Sequence, residues 1–149
     1  MRPPTPPPPQ PQPLVLHPRT ISQLPPETFP NETTARNVSW KTLFSNDKTA
    51  TNTFTTGLAT CPASTASQGD LKLHRHTHAE MYYVTAGRGV VTIEGQEYGV
   101  GEGSLVFIPA DAEHGVRNTG VGDLVWLYVF AADGFGEVVY RFSGAKAKL

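Results

Sequence analysis

Leu73-His74-Arg75-His76-Thr77-His78-Ala79-Glu80-Met81-Tyr82-Tyr83-Val84, closed by Gly87, is the stretch that decides how this chain folds. Histidine is scarce, at five residues in all. Three of them stand in this stretch. A fourth, His114, ends a second segment: Gly103-Ser104-Leu105-Val106-Phe107-Ile108-Pro109-Ala110-Asp111-Ala112-Glu113-His114, which runs on to Asn118. On a strand, side chains two residues apart share a face, so His74 and His76 aim two imidazoles at one point. A turn after His76 returns Glu80 on the next strand, and a carboxylate joins from the side. A third imidazole at that point has to come from a later strand, and His114 supplies it. The overlapping pair His76 and His78 leaves one residue before Glu80, too few to cross to a new strand. His74 and His76 are therefore the preferred pair, and His78 falls in the turn at the cavity mouth.

Three imidazoles and one carboxylate suit a single divalent ion of borderline character: Fe, Mn, Ni, Co or Zn. In an octahedral field, four protein ligands leave two positions for substrate or dioxygen. A closed tetrahedral zinc site leaves none.

Outside these segments, short runs rich in Val, Thr, Tyr and Phe alternate with glycine-containing turns from about residue 50 onward. Strands are expected over 53–60, 71–76, 80–86, 89–93, 97–99, 104–108, 114–118, 123–130 and 137–142. This spacing, without a long 3.6-residue period, indicates an all-β barrel or sandwich. Leu124-Val125-Trp126-Leu127-Tyr128-Val129-Phe130 is apolar on both faces, so both should be covered. One face lines the barrel. The other needs a second sheet, the N-terminal arm or a second subunit, and a homodimer is expected on that ground.

The chain has 149 residues, one domain's worth, and twelve of its fourteen prolines lie in the first thirty. Residues 1–13 read as a disordered Pro-rich tail, either a plain extension or a ligand for SH3- or WW-type modules. Residues 14–49 read as an irregular N-terminal arm anchored by Trp40, Leu43 and Phe44, and residues 50–149 as the domain. With 12 Lys+Arg against 13 Asp+Glu and no block of like charge, nucleic acid and anionic membrane are poor partners. The N-terminus lacks the pattern of a signal peptide and no apolar run approaches a membrane span, so a cytoplasmic protein is expected. The Asn-x-Ser/Thr triplets at Asn31 and Asn37 then read as chance matches. Cys61, the one cysteine, excludes an internal disulfide and reads as a small buried residue at a strand end.

Strand parity extends the candidate site. If Glu80 points inward, so do Tyr82 and Val84, while Met81 and Tyr83 point outward. Tyr82 is then the first candidate for a catalytic acid or base, with a space-filling phenol as the alternative. His78 is the second candidate, as a proton shuttle or simply an exposed turn residue. Parity also puts Lys72 beside His74, where it either adds positive charge that favours an anionic substrate or reaches solvent at the rim. Either Trp126 and Tyr128 or their neighbours face the barrel, and Tyr140 and Phe142 are weaker candidates for the same wall.

These motifs resemble those of the cupin superfamily. Its first motif, G-x5-H-x-H-x3,4-E-x6-G, is met from His74 through His76 and Glu80 to Gly87. Gly69 stands one residue too close to His74. Its second motif, G-x5-P-x-G-x2-H-x3-N, is met at Gly103, Pro109, His114 and Asn118, with Asp111 where glycine is usual. The resemblance covers about residues 50–142 and implies a double-stranded β-helix, a jelly-roll barrel, that binds one divalent metal. Within the superfamily, small lyases that cleave dimethylsulfoniopropionate look similar, sharing the ligand set and a tyrosine two residues after the glutamate, here Tyr82. Three functions are compatible with the sequence. The first is metal-assisted acid–base chemistry, of lyase or isomerase type, on a small anionic molecule. The second is an Fe(II) dioxygenase. The third is a non-catalytic binder of a small ligand through its metal.

Overall fold

A computed structural model describes residues 1–30, 37–63 and 69–144. The Asn31 triplet lies outside them. Eleven strands are present among the described residues, all paired antiparallel. They are β1 (Glu27–Thr28), β2 (Ser39–Phe44), β3 (Thr55–Cys61), β4 (Asp70–Arg75), β5 (Glu80–Ala86) and β6 (Arg88–Ile93). They continue with β7 (Gln96–Gly101), β8 (Leu105–Ile108), β9 (His114–Asn118), β10 (Leu124–Phe130) and β11 (Arg141–Phe142). A six-stranded sheet runs β1-β2-β3-β10-β5-β8 and a five-stranded sheet runs β11-β4-β9-β6-β7. The two sheets make the jelly-roll barrel.

The strand pattern follows the alternation in the sequence. On β5, Glu80, Tyr82 and Val84 are buried, while Met81 and Tyr83 lie on the other face. On β10, Trp126, Tyr128 and Phe130 point into the core and Val125, Leu127 and Val129 point away. That settles which half of this doubly apolar strand lines the barrel. Across the outer face, Pro18 and Ile21 of a short helix, α1 (Pro18–Gln23), share a groove with Leu58 and Val125. The arm is thus less irregular than its composition suggests. Besides α1 it contributes β2, which pairs with β3 from Ser39↔Thr60 to Phe44↔Thr56 and buries Trp40 and Thr42. At the other end, the strand expected over 137–142 shortens to Arg141–Phe142 behind a 3-10 turn, Phe135–Glu137.

Parity fails on β4. Leu71 pairs with Val116 and His74 with His114, so three steps on β4 face two on β9. The extra residue is a β-bulge: Lys72 and Leu73 together face Gly115, and both are less buried than Leu71 and His74. Glycine is needed there, because a Cβ at residue 115 would stand 2.8 Å from the Leu71 carbonyl oxygen. The expected place of Lys72 beside the histidines is corrected accordingly. Lys72 lines an open surface groove with Glu97 and Arg117.

The turns carry the motif residues. Gly87 and Gly103 sit at φ 79° and 87°, where side chains are disfavoured. Asp111 adopts φ 61°, which explains why glycine would suit this position. Its backbone N–H donates to the His76 carbonyl at 3.0 Å, and its carboxylate accepts from Arg141 at 2.8 Å. Asn118 is buried and ties three chain segments. Its Nδ2 donates to the carbonyls of Cys61 (3.0 Å) and Gly122 (2.9 Å), and its Oδ1 accepts from the Gly120 N–H (2.8 Å).

Asp111→Gly is expected to leave thermal stability nearly unchanged, since it relieves the left-handed conformation and loses only an exposed ion pair. Asp111→Val should cost about 1–2 kcal/mol, from the steric penalty of that conformation. Equilibrium urea unfolding of the two variants checks both signs.

Candidate metal centre

Strand pairing brings the four ligand candidates together. β4 and β9 are neighbours, and His74 pairs directly with His114, their rings 4.2 Å apart. His76 follows the end of β4, held by the hydrogen bond from Asp111. Glu80 opens β5 in the opposite sheet. The site therefore sits between the two sheets, and all four side chains are buried. One potential ligand atom from each lies within 4.8 Å of the others. Glu80 Oε2 is 3.0 Å from His76 Nε2 and 3.1 Å from His114 Nε2.

Backbone carbonyls fix the rings. Nδ1 of His74 is 2.7 Å from the Lys72 carbonyl, that of His76 is 2.9 Å from His78, and that of His114 is 2.8 Å from Ala112. A carbonyl oxygen only accepts, so each Nδ1 carries the proton and donates. In a neutral ring each Nε2 is then a bare lone pair facing the centre. His74 Nε2 has no hydrogen-bond partner at all. The Nε2 atoms of His76 and His114 face a carboxylate oxygen, itself an acceptor. Three nitrogen lone pairs and a carboxylate thus converge between the sheets, and the Tyr82 phenol donates to that carboxylate. Added positive charge resolves that arrangement, and a divalent ion resolves all four contacts at once. Burial, with His114 as a further cause, holds His74 well below the usual histidine range, so its imidazole is neutral and ready to ligate.

A narrow aromatic cavity adjoins the site. Glu80, Tyr82, Trp126, Tyr128 and Tyr140 line it from the barrel, and Phe29 and Trp40 line it from the N-terminal side. Tyr82 and Trp126 pack at 5.4 Å, and Tyr140 stacks on His74 at 4.7 Å. Burial, reinforced by the Glu80 carboxylate, pushes the Tyr82 phenol well above its ordinary value. The structure therefore brings Tyr82, Trp126, Tyr128 and Tyr140 to one cavity beside the four ligand candidates. It leaves Lys72 outside. His78 lies in the turn and contributes its carbonyl to His76, while its ring is not among the cavity-lining residues. Phe29 and Trp40 carried no signal of a cavity role in the sequence, because the pairing that places them starts in the arm. Cys61 is fully buried and its thiol is pushed up to about 12, as an inert core residue requires.

One divalent ion per chain is expected by elemental analysis after loading, falling to near none in His74→Ala and His114→Ala. At a hundredfold excess over the dissociation constant, the ion should stabilise the wild-type fold by about 2.7 kcal/mol. Calorimetry with and without chelator measures that gain. Acidification should release the ion, because protons compete for the three imidazole lone pairs.

Residues 64–130 match the cupin domain model. Among characterised proteins, the dimethylsulfoniopropionate lyase DddW of Ruegeria pomeroyi is 34% identical over 108 residues, 72% of this chain and 68% of that protein. In structure, the chain resembles the polyketide cyclase RemF from Streptomyces resistomycificus, at TM-score 0.68 and 18% identity, covering 89% of this chain and 86% of that one. It also resembles a chain from the structures of the DMSP lyases RdDddP and RnDddQII, at TM-score 0.64 and 19% identity, covering 80% and 62%. These two likenesses concern the fold alone. No helix among the described residues is long and apolar enough to cross a membrane. With both motifs present, the four ligand candidates gathered between its sheets and this degree of identity to DddW, the chain belongs to the cupin superfamily.

Proposed function

We propose that this protein is a metal-dependent lyase that acts on a small carboxylic acid bearing a leaving group β to its carboxylate. Dimethylsulfoniopropionate is the substrate that the similarity to DddW suggests. The observation that carries this reading is the position of Tyr82. It shares a strand face with the ligand candidate Glu80, two residues away, and opens onto an aromatic cavity. His74, His76, Glu80 and His114 would hold the metal. Once bound, the ion supplies Lewis-acid stabilisation of the negative charge that develops when a carbon acid loses its proton.

The chain's own groups do the rest. Tyr82, as a phenolate that has already given its own proton to solvent, takes the proton from the carbon next to the carboxylate. The electron pair forms the new C=C bond, and the C–S bond breaks with its electrons leaving on sulfur. The products are a dialkyl sulfide and an unsaturated acid. No oxidant is consumed. The aromatic faces of Trp126, Tyr128 and Tyr140 suit the sulfonium end, since each cation–π contact in a dry site contributes about 1–2 kcal/mol. The metal would draw the guest's carboxylate, and the aromatic walls, with Lys72 outside the cavity, would take the sulfonium end, so a zwitterion replaces the simple anion as the best guest. The cavity's small size also excludes bulk water, which strengthens every charge interaction inside it.

Formation of the unsaturated acid from dimethylsulfoniopropionate under strict anaerobiosis, by protein loaded with each candidate metal in turn, tests the reading. Oxygen uptake coupled to substrate loss would point instead to the dioxygenase. Tyr82→Phe should keep its metal and lose at least about a hundredfold in turnover. Because the phenolate is the active form, kcat/KM should climb with pH until the phenol of the metal-loaded protein is ionised. Tyr82→Phe should flatten that climb.

A further inference from the structure

The cavity beside the metal site is too small for any organic acid as it stands. Its volume is about 20 Å³, room for little more than one water. A wall has to move for a guest to enter, and the walls are not held equally. Tyr82, Trp126 and Tyr128 stand on β5 and β10, each paired on both sides. Trp40 stands on β2, between β1 and β3. Phe29 is different. It follows a two-residue strand, is only half-buried, and comes from an arm whose helix α1 buries no residue. Ring contacts hold it: Trp40 at 4.8 Å, Tyr140 at 4.9 Å and Phe142 at 5.6 Å. Tyr140 in turn stacks on His74, so the Phe29 ring is one side chain away from the metal ligands.

We propose that Phe29 is the size-determining residue of this cavity. Its ring, supplied by the N-terminal arm, fills the space between Trp40 and Tyr140, limits the guest to a small molecule and moves aside to admit it. The inference rests on the metal-site reading of the cavity but not on the lyase reaction. An apolar ring can leave its contacts without breaking a side-chain hydrogen bond. Ring contacts of this kind contribute about 0.5–1.5 kcal/mol each beyond area burial, so a well-bound guest can replace them.

The test uses full-length protein loaded with Co(II), its visible absorption read during titration with acetate and with benzoate. Wild-type protein should bind benzoate at least about tenfold more weakly than acetate. Phe29→Ala should narrow that gap by tightening benzoate more than acetate, with cobalt stoichiometry unchanged, and Phe29→Leu should fall between. An unchanged benzoate-to-acetate ratio in both variants overturns the proposal. Should wild-type protein fail to take up cobalt, the metal-site reading fails, and a second measurement still decides the role of Phe29. Acrylamide quenching of tryptophan fluorescence in the protein without added metal should rise in Phe29→Ala and Phe29→Leu, because Trp40 loses its cover. Unchanged quenching overturns the proposal on that arm.

Discussion

Three imidazoles whose Nδ1 atoms are committed to backbone carbonyls impose the constraint on which the rest of the structure depends. The commitment leaves their Nε2 lone pairs pointed at one another and at the Glu80 carboxylate, away from water. An acceptor cluster of this kind is a liability for folding, since each buried polar group without a donor costs roughly 1–3 kcal/mol. The surrounding structure overcomes that cost by holding the four groups from both sheets at once. β4 and β9 fix two histidines face to face, the Asp111 turn fixes the third, and β5 delivers the glutamate. Cation binding would then favour the same conformation that folding produces.

Much of this was legible in the sequence. The histidines and Glu80 could be placed because a two-residue period and one turn suffice to aim them. Tyr82 followed by the same rule, and β5 obeys it from Glu80 to Val84. The rule broke at Lys72 because a bulge depends on the partner strand. Only the pairing of β4 with Gly115 on β9 reveals that an extra residue is accommodated there. The orientation of β10 was likewise undecidable from its own residues, as both faces are apolar. Pairing with β3 and β5 resolves it. β2 was hidden for another reason. Its apolar anchors were visible, but a strand following a proline-rich arm gives little local sign of its partner.

The aromatic cavity is a tertiary property in the same sense. Phe29, Trp40, Trp126 and Tyr140 come from four separated parts of the chain, and no spacing links them. What unites them is that β2 joins the sheet next to β3 and that Arg141–Phe142 pairs with β4, which places Tyr140 over His74. The last strand was expected to be longer. Its shortening matters, because it lets Tyr140 fold over the ligand ring in place of continuing a ladder.

A site of three histidines and one glutamate does not by itself choose a reaction, and the jelly-roll fold supports many. In this chain the choice falls to what surrounds it. A cavity walled by aromatic rings, with Lys72 outside it, would suit a guest with an apolar or cationic end turned away from the metal. A phenol buried against a carboxylate is a poor base on its own, because burial and negative charge both oppose its ionisation. It becomes a useful one only where positive charge gathers beside it. A cation held by the four ligand candidates would therefore raise the share of Tyr82 present as phenolate. On the proposed reading, metal binding, substrate choice and proton abstraction would share one physical cause: the convergence of acceptors at the join between the two sheets.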